Sequence, residues 1–466
     1  MNRLRSVTLS IFMSLLLFTG CQTIKTDKGQ ENNSQQVTSQ ENQNSNDGNN
    51  NSNGEVKWDK NLLDPQDPVT VKFYSYSAAN PAYGTGFETL KNNFNEGIGK
   101  EKGVKVEYVM DDNNGTKVKA DVKAGQEVDI IQGSFSNLGV YKEDLGLNSY
   151  EETFPKEEME KAFKGIPEKV LKLGVLDDKT YSIPFTISTP MMYVNKDIVK
   201  KAGLDPEKPP KSFEEMYEMS KTIKEKTGKY GLAFSETNSS GWITASVLKS
   251  NGADVLSEDG KTVLFNSPES EEAFSIWRKF YADKVGLGGS DAEVVQAFQT
   301  GEAAFMINST SVYESIKASF EKANMNLDGF PMPGFKGKDS IPTNSGAGLV
   351  IKAKDEKKAQ AIWEVIKYYT SDEGFNTVTS EIGYLPLRPE LANDEKYLKD
   401  YVEKNPMIKR NIERLGDIEK GPIWTGNRAA EAKQAYIDMQ TKILTSQEDI
   451  NPILEQYEKL INDMLK

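Results

Sequence analysis

The chain has 466 residues, a formal net charge of -13 at pH 7, no histidine and a single cysteine. This length suits two folded lobes and a tail better than one compact core. Histidine-dependent catalysis, histidine-ligated zinc and an intrachain disulfide are excluded. An acidic surface would also repel nucleic acid, so no nucleic-acid partner is expected.

The N-terminus has the layout of an export signal that leads to an acylated cysteine. An apolar run over residues 11–18 follows two arginines, and two small residues separate it from Cys21. We therefore predict a lipoprotein signal peptide over residues 1–20 and a lipid on Cys21, although Phe18 stands where aliphatic residues are commoner. An ordinary signal with a chance cysteine is the alternative.

The segment over residues 21–67 is rich in Asn, Gln, Ser and charged side chains. It has little apolar surface to bury, so we predict a disordered tether. A lipid and a long polar tether together predict a protein held on the outer face of the cell membrane.

The folded part alternates between strand and helix periodicities. Apolar residues predict strands at 69–73, 104–108 and 128–131, and helical faces at 87–94 and 117–124 lie between them. This β-α-β-α-β order indicates a mostly parallel sheet that is covered by helices.

Later segments continue the alternation. Ser212 with Glu215 forms a capping-box signature that predicts the beginning of a helix, and residues 230–234 predict a further strand. Trp277 and Trp363 fall on the apolar stripes of two more predicted helices. We expect both rings to belong to the core rather than to a ligand site.

No catalytic motif stands out in the sequence. There is no Walker-type loop and no Gly-x-Ser-x-Gly elbow, so we expect neither an enzyme nor a bound cofactor. A surface glycoside hydrolase stays open as an alternative, because 70 Asp and Glu residues offer many carboxylate pairs. Asp111–Gly115 begins like a calcium loop but lacks the glutamate at its twelfth place, so we interpret it as a polar turn and expect no metal.

Small polar and aromatic residues stand at the ends of predicted strands and at turns. A sugar needs such groups, because its hydroxyls pair with side chains and backbone while its C–H face packs on an aromatic plane. The candidates are Ser188, Thr189, Trp242, Ser309, Thr310, Ser345, Gly346, Tyr384 and Trp424.

At these residues the sequence resembles the extracellular solute-binding family that includes maltose-binding and glycerol-3-phosphate-binding proteins. The likeness covers roughly residues 68–466, and no single motif is decisive, but order and spacing together are specific. The segments that carry it are Val128–Ile131 (VDII), Ser188–Asp197 (STPMMYVNKD), Ala202–Pro206 with Pro209–Phe213, Phe298–Met306 (FQTGEAAFM) and Gly383–Pro386 (GYLP).

The resemblance implies an α/β fold of the two-lobe, periplasmic-binding-protein type II, with a hinge and a ligand cleft between the lobes. Lobe 1 would comprise residues 68–187 and 344–383, and lobe 2 residues 191–335 and 387–466. The protein would be a monomeric solute-binding lipoprotein that captures a carbohydrate by hinge closure and delivers it to the permease subunits of an ABC importer. A non-transporting sensor is an alternative.

The likeness is strongest to the glycerol-3-phosphate-binding branch, and it carries over contacts to Ser188, Trp242, Ser309, Thr310, Gly346 and Tyr384. Two positions depart. Ser134 and Ser136 flank the place of a glutamate that binds glycerol hydroxyls, and Trp424 replaces an arginine. Arginine is the strong bidentate partner of phosphate. The loss of this arginine favours a neutral sugar or oligosaccharide. The alternative ligand is glycerol-3-phosphate or a glycerophosphodiester, with Arg428 as a substitute partner for the phosphate.

Overall fold

Two five-stranded sheets form the framework of the chain in the computed structural model, which describes residues 56–80, 83–235 and 241–466. The predicted signal peptide and Cys21 lie outside the described residues. The strands are β1 (Val69–Ser75), β2 (Val104–Met110), β3 (Ile130–Ser134), β4 (Val175–Leu176), β5 (Lys179–Thr180), β6 (Ser182–Ser188), β7 (Pro190–Asn195), β8 (Tyr230–Ala233), β9 (Gly286–Leu287), β10 (Ala303–Ser309), β11 (Leu327–Pro331) and β12 (Ser345–Ile351).

The first sheet has the strand order β2-β1-β3-β12-β6. β1 pairs in parallel with β2 and with β3, as the alternating pattern predicts, although β3 begins two residues later than expected. β12 returns from a late part of the chain and runs antiparallel to β3 and β6. The first sheet therefore combines two distant segments of the sequence.

The second sheet has the order β11-β7-β10-β8-β9, and β4 with β5 forms a separate hairpin. β10 is parallel to β8 and antiparallel to β7. Helices pack against both sheets, and none within the described residues has the length and apolar character that a membrane span requires.

The helices follow the order that the alternation requires. They are α1 (Gly84–Glu96), α2 (Ile98–Lys102), α3 (Thr116–Lys123), α4 (Leu138–Leu145), α5 (Lys156–Ala162), α6 (Glu168–Leu171), α7 (Lys196–Lys201), α8 (Phe213–Thr227), α9 (Trp242–Asn251), α10 (Pro268–Ala282), α11 (Asp291–Gln299), α12 (Tyr313–Ala323), α13 (Glu356–Tyr369), α14 (Asp372–Thr377), α15 (Lys399–Lys404), α16 (Pro406–Ile412), α17 (Ala429–Thr445) and α18 (Ile450–Leu465).

Local signals in the sequence begin several of these helices. The Ser212 hydroxyl accepts a hydrogen bond from the Glu215 backbone N–H, so the predicted beginning of α8 is confirmed. The Glu215 carboxylate binds the backbone N–H of Lys211 instead of completing the box. Trp277 and Trp363 are both buried, which confirms the core role predicted for them.

The acidic run after β2 is a polar turn, as predicted. The Asp111 carboxylate accepts from the backbone N–H groups of Lys117 and Val118 at 2.8 and 3.1 Å. Both donors belong to the first turn of α3, whose unpaired N–H groups need such acceptors. Asp111 therefore stabilises the beginning of a helix.

Residues 56–67, predicted to be the end of the disordered tether, pack against the first sheet's helices instead. The Leu62 N–H donates to the Gln360 side chain of α13 at 2.8 Å, and the Gln360 amide donates back to the Lys60 carbonyl at 2.9 Å. Trp58 meets Phe154 edge-on, with ring centroids 6.1 Å apart. Trp58 and Leu63 supply apolar surface that packs on the core and that a tether lacks, which is why the prediction was wrong here.

The chain passes between the two sheets at more than one place. Thr189 alone joins β6 of the first sheet to β7 of the second. Residues 332–344 connect β11 back to β12. Each lobe thus contains one sheet, and the predicted lobe boundaries stay a prediction.

A buried ion pair ties the amino end of β3 to helix α13. The Asp129 carboxylate accepts from the Lys72 backbone N–H at 2.8 Å and from Lys358 Nζ at 3.1 Å. The Lys358 ammonium also contacts the Thr70 carbonyl at 2.7 Å and the Glu127 carboxylate at 3.0 Å. Burial raises the pKa of Asp129, and the contacts with Lys72 and Lys358 offset part of this.

We expect Lys358→Met to lower the free energy of unfolding at pH 7 by about 3–5 kcal/mol, because it strands the buried Asp129 charge. A carboxyl whose pKa is raised in the folded state loses stability as the pH rises through that pKa. The difference in the free energy of unfolding between the unchanged chain and Lys358→Met should therefore shrink as the pH falls. Urea unfolding at several pH values measures this difference.

Lys357→Met is the matched control, since the Lys357 side chain is 40% exposed and pairs with exposed Asp67 at 3.1 Å. A surface pair of this kind contributes about 0–1 kcal/mol. Equal losses in the two variants, or a Lys358→Met deficit that is independent of pH, would contradict the assignment.

Candidate ligand-binding site

A cavity of about 460 Å³ lies between the two sheets. Strand ends from both sheets line it: Tyr76 follows β1, Ser134 ends β3, Ser188 ends β6, Ser309 ends β10 and Ser345 begins β12. The carboxyl ends of parallel strands meet at one edge of a sheet, where α/β folds bind ligands. The antiparallel β12 brings its amino end to the same edge.

Eleven residues are candidate ligand contacts from the sequence or stand at the two positions that depart from the family, and eight of them line this cavity. Contact with a ligand stays a prediction for each of them. They are Ser134, Ser136, Ser188, Trp242, Ser309, Ser345, Gly346 and Tyr384.

Thr310 does not line the cavity, which corrects its assignment. It is fully buried, and its backbone N–H donates to the Thr189 carbonyl at 3.0 Å. Thr310 therefore joins the end of β10 to the crossing between the sheets. Thr189 is buried in the same contact and is also absent from the lining.

Trp424 does not line the cavity either. Its ring is 0% exposed and packs on Tyr436 of α17, with ring centroids 5.6 Å apart. The neighbouring Ile423 packs with residues of the first sheet, while Trp424 packs in the core of the second. The tryptophan therefore faces the second lobe's core rather than the cavity.

Several residues of the lining were missed by sequence reasoning. Tyr76 stands three residues after the predicted strand 69–73 and directly after the observed β1, so its place near a strand end is a signal that could have found it. Asn308 and Asn344 each immediately precede a predicted contact. The others are Tyr83, Asn113, Phe135, Ile243, Asp291, Ala292, Val295, Ser311 and Val312.

Three tyrosines form an aromatic wall on the side of the first sheet. The rings of Tyr83 and Tyr384 have centroids 5.7 Å apart. The side chains of Ser77, Thr186 and Tyr384 lie close to the Tyr76 hydroxyl and offset part of the rise in its pKa. Burial raises the pKa of Tyr76 and of Tyr384 well above the usual range, so both hydroxyls stay neutral and can donate.

The buried side chain of Gln132 binds three hydroxyl groups close to these tyrosines. The Gln132 carbonyl accepts from the Ser75 hydroxyl at 2.7 Å, and its amide donates to the hydroxyls of Ser77 and Thr186 at 2.9 and 3.1 Å. Networks whose members are all paired hold their side chains in one arrangement. Gln132 thus holds the hydroxyls of Ser77 and Thr186 in position beside Tyr76.

The lining that the structure describes contains one carboxylate, Asp291, and neither lysine nor arginine. Serine hydroxyls supply much of its polarity, and they pair with each other: Ser134 with Ser136 at 3.1 Å and Ser309 with Ser311 at 2.8 Å. Such hydroxyls can donate or accept, which suits a neutral polyhydroxylated ligand.

Arg428, the proposed substitute for the missing phosphate-binding arginine, is absent from the lining. Its Nε donates to the Glu431 carboxylate at 3.0 Å, one turn further along the chain. The guanidinium is exposed and forms a local surface ion pair.

Two lobes with a polar and aromatic cavity between them define a ligand-binding protein of the two-lobe, periplasmic type. The chain belongs to the bacterial extracellular solute-binding protein family, whose model matches residues 89–406. This confirms the predicted solute-binding role, and the family is one of extracellular proteins.

Among curated proteins, the sn-glycerol-3-phosphate-binding periplasmic protein UgpB of Escherichia coli (strain K12) is 27% identical over 322 residues, which is 61% of this chain and 70% of the relative. UgpB of Salmonella typhimurium is 26% identical over 297 residues, which is 56% of this chain and 67% of the relative.

Solved structures confirm the predicted two-lobe α/β fold. The cyclic alpha-maltosyl-1,6-maltose binding protein from Arthrobacter globiformis has a TM-score of 0.74 at 19% identity, covering 86% of this chain and 99% of its own. UgpB from Mycobacterium tuberculosis, in complex with glycerophosphocholine, has a TM-score of 0.70 at 18% identity, covering 85% and 98%. At these identities the likeness concerns the fold.

Proposed function

We propose that the protein captures a neutral carbohydrate, either a sugar or a small oligosaccharide, between its lobes and delivers it to the permease subunits of an ABC importer. The composition of the cavity supports this most directly: hydroxyls, amides and aromatic rings line it, without lysine or arginine among the described residues. Aromatic planes pack on the C–H faces of sugar rings, and hydroxyls pair with the serines and amides.

Glycerol-3-phosphate is the competing ligand, because UgpB proteins are the curated relatives with the sequence likeness given above. A phosphate dianion requires charge-assisted hydrogen bonds, which Arg and Lys supply best. Asp291 in the lining would instead repel it. The charges of the cavity therefore favour the neutral ligand.

Binding without turnover is part of the proposal. Glycoside hydrolysis generally uses two carboxyl groups that flank the scissile bond, and the lining offers Asp291 alone among the described residues. An oligosaccharide recovered intact after long incubation is the expected result. Its cleavage would support the hydrolase alternative.

Anchoring through Cys21 is also a proposal. Each buried methylene of an acyl chain contributes about 0.8 kcal/mol, so two or more chains would hold the protein at the membrane. Release of the protein from membranes in a Cys21→Ser variant would support it, and unchanged membrane association would count against it.

The ligand class is tested with the chain from residue 22 onward. Isothermal calorimetry with maltose, maltotriose, a cyclic glucan tetrasaccharide, glycerol-3-phosphate and glycerophosphocholine should show binding of a neutral sugar with a Kd near 1 μM, about -8 kcal/mol. Binding of phosphorylated compounds alone would overturn the carbohydrate assignment. Loss of uptake of the bound sugar after deletion of the protein would separate an importer component from a sensor.

A further inference from the structure

Two asparagines in the cavity wall each have an amide nitrogen without a hydrogen-bond partner. Asn308 and Asn344 are 6% and 5% exposed, and both line the cavity. The Nδ2 atom of each is out of contact with solvent and unpaired. Among the described residues with such an unpaired buried side-chain atom, these are the two that belong to the lining.

The orientation of each amide is determined by its oxygen. Asn308 Oδ1 accepts from the backbone N–H of Ser309 at 2.7 Å, and Asn344 Oδ1 accepts from the backbone N–H of Gly421 at 2.9 Å. Flipping either amide would place its NH₂ group against another donor. The unpaired nitrogen is therefore a consequence of the local backbone and cannot be relieved by exchanging the two amide atoms.

A buried amide N–H without an acceptor destabilises the folded protein, because it has lost its hydrogen bonds to water. Such groups are rare in native structures, and each one calls for a physical explanation. Here both lie beside a cavity that is built to bind an oxygen-rich molecule. An acceptor oxygen delivered by that molecule would remove the penalty.

We propose that the Nδ2 groups of Asn308 and Asn344 are specificity-determining donors that pair with oxygen atoms of the bound carbohydrate. The inference rests on the proposed function. Asn308 belongs to β10 of the second sheet, and Asn344 directly precedes β12 of the first. One ligand that accepts from both amides bridges the lobes, so its binding favours the closed form.

The test compares Asn308→Leu and Asn344→Leu with the unchanged chain, produced from residue 22 onward. Calorimetry with the five compounds named above measures affinity, and urea unfolding without ligand measures stability. Each variant should bind about 5–10-fold more weakly, the equivalent of one ordinary hydrogen bond. The urea midpoint should fall in both variants, because the backbone N–H of Ser309 or Gly421 loses its acceptor, so affinity is measured at a temperature where each variant stays folded.

Asn308→Asp and Asn344→Asp keep the acceptor for the backbone N–H and replace the donor by an oxygen that carries negative charge, so they provide the test where a leucine variant does not fold. Affinity should fall in these variants also, because the ligand oxygen then faces another oxygen. Asn411→Leu is the matched control: Asn411 is buried and lies outside the cavity lining, and its Nδ2 donates to the Met407 carbonyl at 2.8 Å. This control should lower the urea midpoint and leave affinity unchanged.

Unchanged affinity in the leucine and aspartate variants of either residue would overturn the proposal for that residue. A loss of affinity of similar size in Asn411→Leu would also overturn it, since the loss would then follow from lower stability and not from a missing ligand contact. If the unchanged chain binds no sugar, the proposed function fails. Failure of the inference alone is distinguishable, because the unchanged chain and the asparagine variants would then bind the same sugar equally well.

Discussion

Replacing Trp424 by alanine is expected to lower the free energy of unfolding by about 3–5 kcal/mol, which is the usual loss when a buried tryptophan is removed. The ring is 0% exposed and contacts Tyr436 in the core of the second lobe. Truncation leaves a cavity that the surrounding helices cannot close fully. Thermal and urea unfolding of the ligand-free protein would measure the loss.

The same variant should retain its affinity for ligand at a temperature where it stays folded, because Trp424 does not line the cavity. Trp424→Phe, which keeps an apolar ring, should recover part of the stability. A variant with normal stability but weakened sugar binding would instead support the ligand contact that the family comparison predicts for this position.

Replacing Trp242 by alanine is expected to weaken carbohydrate binding about 10–100-fold, or about 1.4–2.8 kcal/mol. Trp242 is the first residue of α9, is 8% exposed and lines the cavity. A sugar ring that packs on the indole buries apolar area on both partners, and this area is lost on truncation. Calorimetry with the bound sugar would measure the change in Kd.

Trp242 also packs in the core of the second lobe, so its removal carries a cost in stability. Trp242→Phe separates the two effects, because it retains apolar packing but offers a smaller plane to the sugar. Affinity should fall less in Trp242→Phe than in Trp242→Ala. Normal sugar affinity in Trp242→Ala would remove the indole from the binding site.

The two tryptophans, both predicted ligand contacts, lie in different surroundings. Trp242 lies at the beginning of a helix that borders the cavity, so its contact with a ligand stays a prediction. Trp424 packs in the core of the second lobe, while the adjacent Ile423 packs with residues of the first sheet. The sequence does not indicate which of two adjacent apolar residues faces which lobe.

The missed residues have a similar explanation. Asn308 and Asn344 stand next to predicted contacts. Asparagine is, however, as typical of turns and helix caps as of ligand sites, so its presence in the sequence does not indicate a ligand contact. Their unpaired nitrogens arise from backbone N–H groups that occupy their oxygens. For Asn344 that donor is Gly421, 77 residues further along the chain, and no local pattern indicates such a contact.

Composition and the periodicities within short segments were enough to predict the alternating β-α order and to exclude histidine chemistry, and the motifs in their order carried the resemblance to the family. The predicted order also placed polar residues at strand ends, since chain order decides where parallel strands terminate. Three features became visible in the folded chain alone: β12 returns antiparallel, residues 56–67 pack on α13, and Trp424 faces the core of the second lobe. These outcomes depend on contacts between distant segments and on which lobe a side chain faces, and both are set by packing across the whole fold.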